Sequence, residues 1–448
     1  MIVNSKIEEQ AQKTELQPEQ NQEFDWKKCW YPVCFVQDLP KNRPYSFSLY
    51  DEPLVLFRNH DGKLVCLVDR CPHRAAKLSD GQITDGKIEC FYHGWQFGSD
   101  GECLHIPQLA TDAKIPTNAC VKSFEVVERQ GIVWMWAGDR EAAVHENIPI
   151  VEELDKPEFV TTDVMRDLPY DQFYFIENVM DPAHVQISHD GTLGKRENAK
   201  PSQMEVIENS SKGVRGRLRG MSKPNLPWSQ LEFFAPNFVS YSYGIPQQGV
   251  VGGVAFYSIP MGKSRCRIFV RNYSRFKTWK FKLTPRWLDH MLRNRILEED
   301  LPLIIGQKTQ IERLGQSLKQ VFLPLKTSDT FVVEYYKWLD KFGSSLPYYQ
   351  GYSTSKDVGT DEHSFKPTPL DRLSQHTQLC DSCSRAYQVT NRVKQISVGV
   401  AIALAALAIL ADGSWIQVVA VLASLGAVGL AVAAQRFKTH FERPYTRH

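Results

Sequence analysis

Four residues in the first quarter of the chain have the types and spacing to hold a metal centre: Cys71 and His73, then Cys90 and His93. Written out, the pattern is C-x-H, sixteen residues, then C-x-x-H. Two thiolates and two imidazoles could bind either zinc or an iron–sulfur cluster. The pairing separates these chemistries. A zinc finger usually groups its cysteines together and its histidines together, whereas here each half brings one thiolate and one imidazole. Two thiolates can then take one iron of a [2Fe–2S] cluster and two imidazoles the other, which raises the potential above that of an all-cysteine cluster. Gly81, Gly86 and Gly94 supply the tight turns that two facing ligand loops need.

A second constellation follows, running from Glu177 through Asn178, Asp181, Pro182 and His184 to His189. Asn178, Asp181 and His184 are spaced by three, so a continuous helix would carry them along one side. His189 lies five residues past His184, about 140° further round a helix of that pitch. Both imidazoles face one ion only if the helix loosens between or beside them, and Pro182 and Gly191 allow that. Two histidines need one carboxylate to form the facial triad of a non-haem Fe(II) oxygenase, which leaves positions open to water, O₂ or substrate. The carboxylate must come from downstream, where Glu298, Glu299, Asp300, Glu312 and Asp329 are candidates. On its own, His-x₄-His is a weak signal, and Glu298-Glu299-Asp300 reads equally as a solvated helix face.

The elements around these residues fall into a clear order. From Asp25 to about Gly138 the chain reads as short strands and turns, a small all-β domain. Its clearest hairpin is Leu54–Phe57 and Leu64–Val68 around Asp61-Gly62. A further Asp-Gly turn falls at Ser99–Gly101, and Gly131–Trp136 reads as another strand. Asn147–Pro157 is a linker rich in proline and charge. Beyond it the pattern is mixed, with a helix over Gln172–Val185, strands within Gln230–Val270 and a helix over Pro285–Leu314 that Pro302 could break. The basic stretch Lys263–Arg286 reads as a solvated or membrane-facing surface, or as an attractor for a substrate carboxylate or an acidic ferredoxin. Asp357–Pro369 is polar and carries two prolines.

The 448 residues carry a net charge of only +2, which gives no support to nucleic-acid binding. Ten cysteines spread over so long a chain, with no secretory signal, point to metal or redox roles rather than bridges. The first 24 residues are polar and rich in Gln and Glu, and read as a disordered tail without an import signal. Near the other end, Ile396–Ala411 and Trp415–Ala434 are uncharged runs of sixteen and twenty residues separated by Asp412-Gly413-Ser414. About 20 apolar residues span a bilayer core, so a transmembrane hairpin over 396–435 is expected. Arg392 and Lys394 precede it and Arg436 and Lys438 follow, which places both outer ends, and the large polar part, on the cytoplasmic side. Just before it, over 371–390, His376, Cys380 and Cys383 form H-x₃-C-x₂-C. The cysteines read as a redox dithiol or as inert thiols; with no second cysteine pair nearby, a zinc site within one chain lacks support.

Cys71-Pro72-His73-Arg74 followed by Cys90-Phe91-Tyr92-His93-Gly94-Trp95-Gln96-Phe97, with the lead-in Trp26–Val33, resembles the Rieske domain of the Rieske non-haem iron oxygenases. The run Asn178 to His189 is similar to that family's mononuclear iron motif. The resemblance implies an α+β fold, with a Rieske [2Fe–2S] domain at 25–140 and a helix-grip-like catalytic domain at 150–370. It implies that Cys71, His73, Cys90 and His93 hold the cluster, and that His184, His189 and an acid hold iron(II). Ile296–Leu301, with Gln307 beyond, looks most like the family's acidic region, which makes Asp300 the expected third ligand and Glu299 the next choice. Asp181 would be no ligand but a bridge carrying electrons from a neighbouring subunit's Rieske histidine, in a homotrimer, with Asn178 behind it. The tail refines the likeness to the group of pheophorbide a oxygenase, chlorophyllide a oxygenase and the Rieske component of the chloroplast translocon. That group implies a chlorophyll-derived tetrapyrrole substrate, a ferredoxin or reductase as donor, and a thylakoid, envelope or plasma membrane. The first 24 residues do not read as a transit peptide, from which a cyanobacterial homologue is expected. A redox-sensing or translocon-associated role is the alternative; an electron-transfer subunit would not need the second iron motif.

Overall fold

The computed structural model describes residues 24–221, 225, 227–245, 250–275, 283–356 and 370–444. Residues 1–23 of the expected disordered tail and the polar stretch Asp357–Pro369 fall outside the described residues, whereas Phe24, the tail's last residue, is ordered against Trp338 with ring centres 5.3 Å apart.

Short strands joined by tight turns build the first domain as three antiparallel sheets. The first joins β1 (Trp30–Phe35), β11 (Ile132–Trp136) and β10 (Val126–Arg129) in that order. The second runs β2 (Tyr45–Leu49), β3 (Glu52–Arg58), β4 (Leu64–Val68) and β9 (Ser123–Phe124). The third runs β5 (Gln82–Thr84), β6 (Lys87–Glu89), β7 (Gln96–Phe97) and β8 (Cys103–His105). The expected hairpin is β3–β4. Its turn works because Gly62 takes φ +76° and the Asn59 side-chain oxygen accepts from the Asp61 and Lys63 amides at 3.0 and 2.9 Å.

The second domain is one seven-stranded antiparallel sheet: β12 (Val160–Leu168), β18 (Arg265–Ser274), β17 (Val250–Gly262), β16 (Phe238–Ile245), β15 (Ser229–Phe234), β14 (Gly213–Gly220) and β13 (Ser202–Ser210). Its helices are α1 (Gln172–Met180), α2 (Val185–Ser188), α3 (Arg286–Leu314), α4 (Leu318–Val321) and α5 (Thr330–Phe342). Together the two domains give the α+β layout the sequence implies. They share a core, since Met165, Phe238, Tyr257 and Phe269 of the large sheet pack with Trp30, Tyr31 and Trp134 of the first domain.

Three expectations about elements need correction. The helix over Gln172–Val185 stops at Met180, and Asp181 caps it in extended conformation (φ −101°, ψ 96°) because Pro182 cannot continue the ladder. Asn178, Asp181 and His184 therefore do not share one helix face. Conversely, α3 passes through Pro302 unbroken and ends at Gly315, whose left-handed φ of +59° lets its amide bond the Ile311 carbonyl. Within the basic stretch Lys263–Arg286, the arginines at the centre of β18 are not solvated, while Arg275 and residues 283–285 are exposed as expected. Arg267 and Arg271 are 3% and 4% exposed and pair with Asp167 (2.6 Å) and Asp163 (2.8 Å) across β12 and β18. Residues 276–282 of that stretch lie outside the described residues.

After a single wide turn at Leu373–Thr377, α6 (Asp381–Leu410) and α7 (Ser414–Glu442) form a hairpin of helices long and apolar enough to cross a membrane. Thirty residues make about 45 Å of helix, so α6 starts well before the uncharged run. The two helices meet through small residues, Ser397, Ala401, Ala420, Ala431 and Ala434, and Ser424 Oγ donates to the Ala401 carbonyl at 2.9 Å. Outward-facing Ile409 and Trp415 are 81% and 77% exposed.

Candidate functional site

The loops β4–β5 and β6–β7 are built alike. The Cys71 amide bonds the Ala76 carbonyl and the Ala75 amide the Cys71 carbonyl; likewise Cys90 bonds Trp95 and Gly94 bonds Cys90, all at 2.8–2.9 Å. Each loop needs a positive φ at the same point, Ala75 at 57° and Gly94 at 74°. The two cysteines are buried, and the His73 and His93 rings lie against each other with centres 4.4 Å apart. Trp95 stacks flat on His73 at 4.7 Å. His73 Nδ1 is buried without a hydrogen-bond partner among the described residues. Burial pushes the Cys71 thiol up to about 11, so in the bare protein it stays protonated. Two buried, interacting thiols, two adjacent imidazoles and an orphaned imidazole nitrogen fit the ligand set of a [2Fe–2S] cluster. Phe91 and Tyr92, next to His93, are 63% and 59% exposed.

The break after α1 brings the second set together. His184 begins α2 and His189 ends it, and their rings lie 5.4 Å apart. Asp300 Oδ2 on α3 is 3.7 Å from His184 Nε2 and 3.1 Å from His189 Nε2. One ligand atom from each of the three lies within 4.8 Å of the others. The far nitrogens are held from behind. His189 Nδ1 bonds Glu299 Oε2 at 3.0 Å, which also accepts from Thr192 Oγ1 at 2.7 Å, and His184 Nδ1 bonds the Asp181 carbonyl. Burial opposes a charge on His189, but its bonds to Asp300 and Glu299 outweigh that and raise its pKa. The pocket thus favours a cation, and a metal ion meets that demand as a proton does.

Each member of the acidic triplet does a different job, and none is solvated. Glu298 is enclosed by Arg166 at 2.6 Å and Arg372 at 2.5 Å; burial works to raise its pKa, and the two guanidiniums hold it below the usual carboxylate range. Glu299 orients His189, and Asp300 faces both imidazoles. Glu312 pairs with Lys308 on the surface at 3.0 Å. Asp329 accepts from the Leu325 amide and Ser328 Oγ, and lines the cavity described next.

That cavity, about 530 Å³, opens beside Asp181, His184 and Asp300 and is walled by Leu303, Ile304, Phe322, Leu323, Val332 and Val333. Its size and apolar walls suit a small-molecule ligand. Asn178 lines it, while the Asn178 carbonyl accepts the Asp181 amide at 3.2 Å. Glu177, on the same wall, was not singled out by spacing. Tyr336 and Gln307 donate to it at 2.5 and 2.8 Å, and burial pushes its carboxyl up to about 7. The Asp181 carboxylate is a quarter exposed and accepts the Ala183 amide at 2.8 Å.

The tail cysteines have company that spacing did not reveal. His290 of α3 stands with His376, Cys380 and Cys383, with one ligand atom of each within 4.8 Å of the rest. The lack of support for a zinc site is corrected, because a distant helix rather than a second cysteine pair completes the set. One signal was available: His290, Asn294 and Glu298 recur every four residues, a buried polar stripe along α3.

Residues 29–125 match the Rieske [2Fe-2S] domain family, and residues 233–317 the pheophorbide a oxygenase family. The chain is 36% identical to Protein TIC 55, chloroplastic, of Pisum sativum, covering 95% of this chain and 83% of the relative. It is 33% identical to the chloroplastic pheophorbide a oxygenase of Arabidopsis thaliana, covering 93% and 82%. The crystal structure of dicamba monooxygenase bound to dicamba superposes with a TM-score of 0.60 at 22% identity over 71% of this chain and 97% of that one, a likeness of fold.

Proposed function

The chain belongs to the Rieske non-haem iron oxygenases, and from that membership we propose that it oxygenates a chlorophyll-derived tetrapyrrole in the cavity beside His184, His189 and Asp300. The family accepts electrons from ferredoxin and acts on hydrophobic substrates. In this reading Cys71, His73, Cys90 and His93 hold the Rieske cluster, and His184, His189 and Asp300 hold the mononuclear iron. When bound, the cluster supplies single electrons and the iron activates O₂.

The chain's own residues prepare that chemistry. Glu299 and the Asp181 carbonyl fix both imidazoles with their inward nitrogens toward Asp300. The apolar wall from Leu303 to Val333 offers a face for a flat hydrophobic ring system, which would shed water from it on binding. Glu177, poised near neutrality, holds a proton at the cavity wall. Asp181 is the electron bridge, reached by the Rieske face of a neighbouring copy in a homotrimer; the exposed Phe91 and Tyr92 beside His93 support such docking. The helical hairpin anchors the protein in a thylakoid, envelope or plasma membrane, with the catalytic part on the cytoplasmic or equivalent side, so that a lipid-dissolved substrate lies within reach.

The observation that carries this reading is the convergence of two imidazoles and one carboxylate on a large, mainly apolar cavity. Anaerobic incubation of the reduced protein with a panel of chlorophyll derivatives, then O₂ and mass spectrometry, tests it. An oxygenated product from one pigment is expected. Unchanged pigments throughout the panel would reject the tetrapyrrole assignment.

A further inference from the structure

Among the described residues the oxygenase chemistry leaves one buried donor set unused, His290 of α3, His376 of the turn before α6, and Cys380 and Cys383 where α6 begins. None of the four is more than 2% exposed. Each imidazole is held at its far side by a main-chain carbonyl of β12: His376 Nδ1 lies 2.7 Å from Met165 O, and His290 Nε2 lies 2.6 Å from Asp163 O. A carbonyl oxygen only accepts, so those two nitrogens carry the protons. The inward nitrogens, His290 Nδ1 and His376 Nε2, are then lone pairs, yet they face each other at 3.1 Å. Two lone pairs at that distance repel unless something cationic lies between them.

The sulfurs complete a figure of definite shape. Cys380 Sγ is 3.5 Å from His290 Nδ1, while Cys383 Sγ is 3.4 Å from that atom and 3.3 Å from His376 Nε2. Bonds of about 2.0–2.1 Å to nitrogen and 2.3 Å to sulfur give a tetrahedron with edges of roughly 3.3 Å between nitrogens and 3.6 Å between nitrogen and sulfur. These four contacts fall within a few tenths of an ångström of those edges, and the cysteines are not joined in a disulfide. Two thiolates would also neutralise a buried divalent charge.

We propose that His290, His376, Cys380 and Cys383 bind one divalent ion of the zinc class in a closed tetrahedral site that pins the helical hairpin to helix α3. Two nitrogens and two sulfurs in tetrahedral array select zinc over harder or octahedral metals, and four protein ligands leave no position for substrate. The site ties together the start of the anchor, a strand of the large sheet and the helix that carries Asp300. His290 and Asp300 are ten residues apart, about 15 Å along α3. Asp38 of the first domain reinforces the junction, pairing with Arg286 at 2.6 Å and accepting the Asp381 amide at 2.9 Å.

The test is elemental analysis of the full-length protein purified in detergent with reductant. One zinc per chain is expected beside the iron, released into a colorimetric chelator by a thiol-blocking mercurial. Cys380→Ser with Cys383→Ser should lose the zinc and keep the iron. Exchange with cobalt(II) should give the absorption of a tetrahedral thiolate site in the wild type. If the double variant fails to accumulate, wild-type zinc content and the cobalt spectrum decide alone. A wild-type protein that holds no zinc and binds no added zinc or cobalt overturns the proposal, as does a double variant that retains its zinc.

Discussion

Helix α3 presents candidate metal-ligating side chains at two places, and they contrast in what the protein leaves open. Toward its middle, Asp300 joins only two imidazoles and borders a cavity of about 530 Å³. About three turns earlier, His290 joins three more donors in a site with no exposed ligand. Three ligands beside a cavity suit chemistry, and four ligands in a sealed pocket suit architecture. Between them, Glu298 locks α3 to Arg166 and to Arg372 of the tail segment. One helix thus couples the anchor to the reactive site through neighbouring polar contacts.

Substitutions that spare one end of α3 while damaging the other would test this contrast. The largest effect belongs to Asp300→Ala, which should abolish turnover and remove one iron per chain while the zinc and the cluster's spectrum persist. Equal loss of zinc and iron would merge the two sites. Glu298→Ala leaves two arginines buried without their carboxylate, for an expected loss of about 3–5 kcal/mol in denaturant unfolding. A loss that small surface changes give would deny Glu298 its bridging role.

Glu177→Gln addresses the cavity wall through pH. The folded carboxyl is raised to about 7 from 4.5. Its stabilising contribution is therefore complete below about pH 4.5 and lost as pH rises through about 7, worth about 3 kcal/mol at most. Glutamine mimics the protonated acid, so the variant should gain on wild type across that window in melting experiments at successive pH values. A constant difference would place the Glu177 titration elsewhere. The smallest effect is expected of Glu299→Ala, which frees the His189 ring and should cost roughly 10–100-fold in iron affinity or activity, measured by iron titration and turnover.

What the sequence revealed depended on how locally each feature was encoded. The cluster ligands were legible because both ligand pairs sit in single turns, each with its own glycine or tight bend. His184 and His189 were legible as a pair, but the stop at Met180 that lets them converge depends on Asp181 leaving the helix. Residue type and spacing alone left Glu298, Glu299 and Asp300 equivalent; the family resemblance favoured Asp300, and only what each carboxylate faces on α3 tells their roles apart. His290 stands 86 residues before His376, beyond the reach of any spacing rule. The arginines of β18 looked like a surface because their acidic partners lie a hundred residues earlier on β12.

The most direct measurement is turnover of the reduced wild-type protein, and of His184→Ala, with the reactive pigment under isotopically labelled O₂. The wild type should place label from O₂ in the product, and the variant should form none while its Rieske cluster still accepts electrons. Product formed at the wild-type rate by His184→Ala, or product without label, would contradict the oxygenase reading.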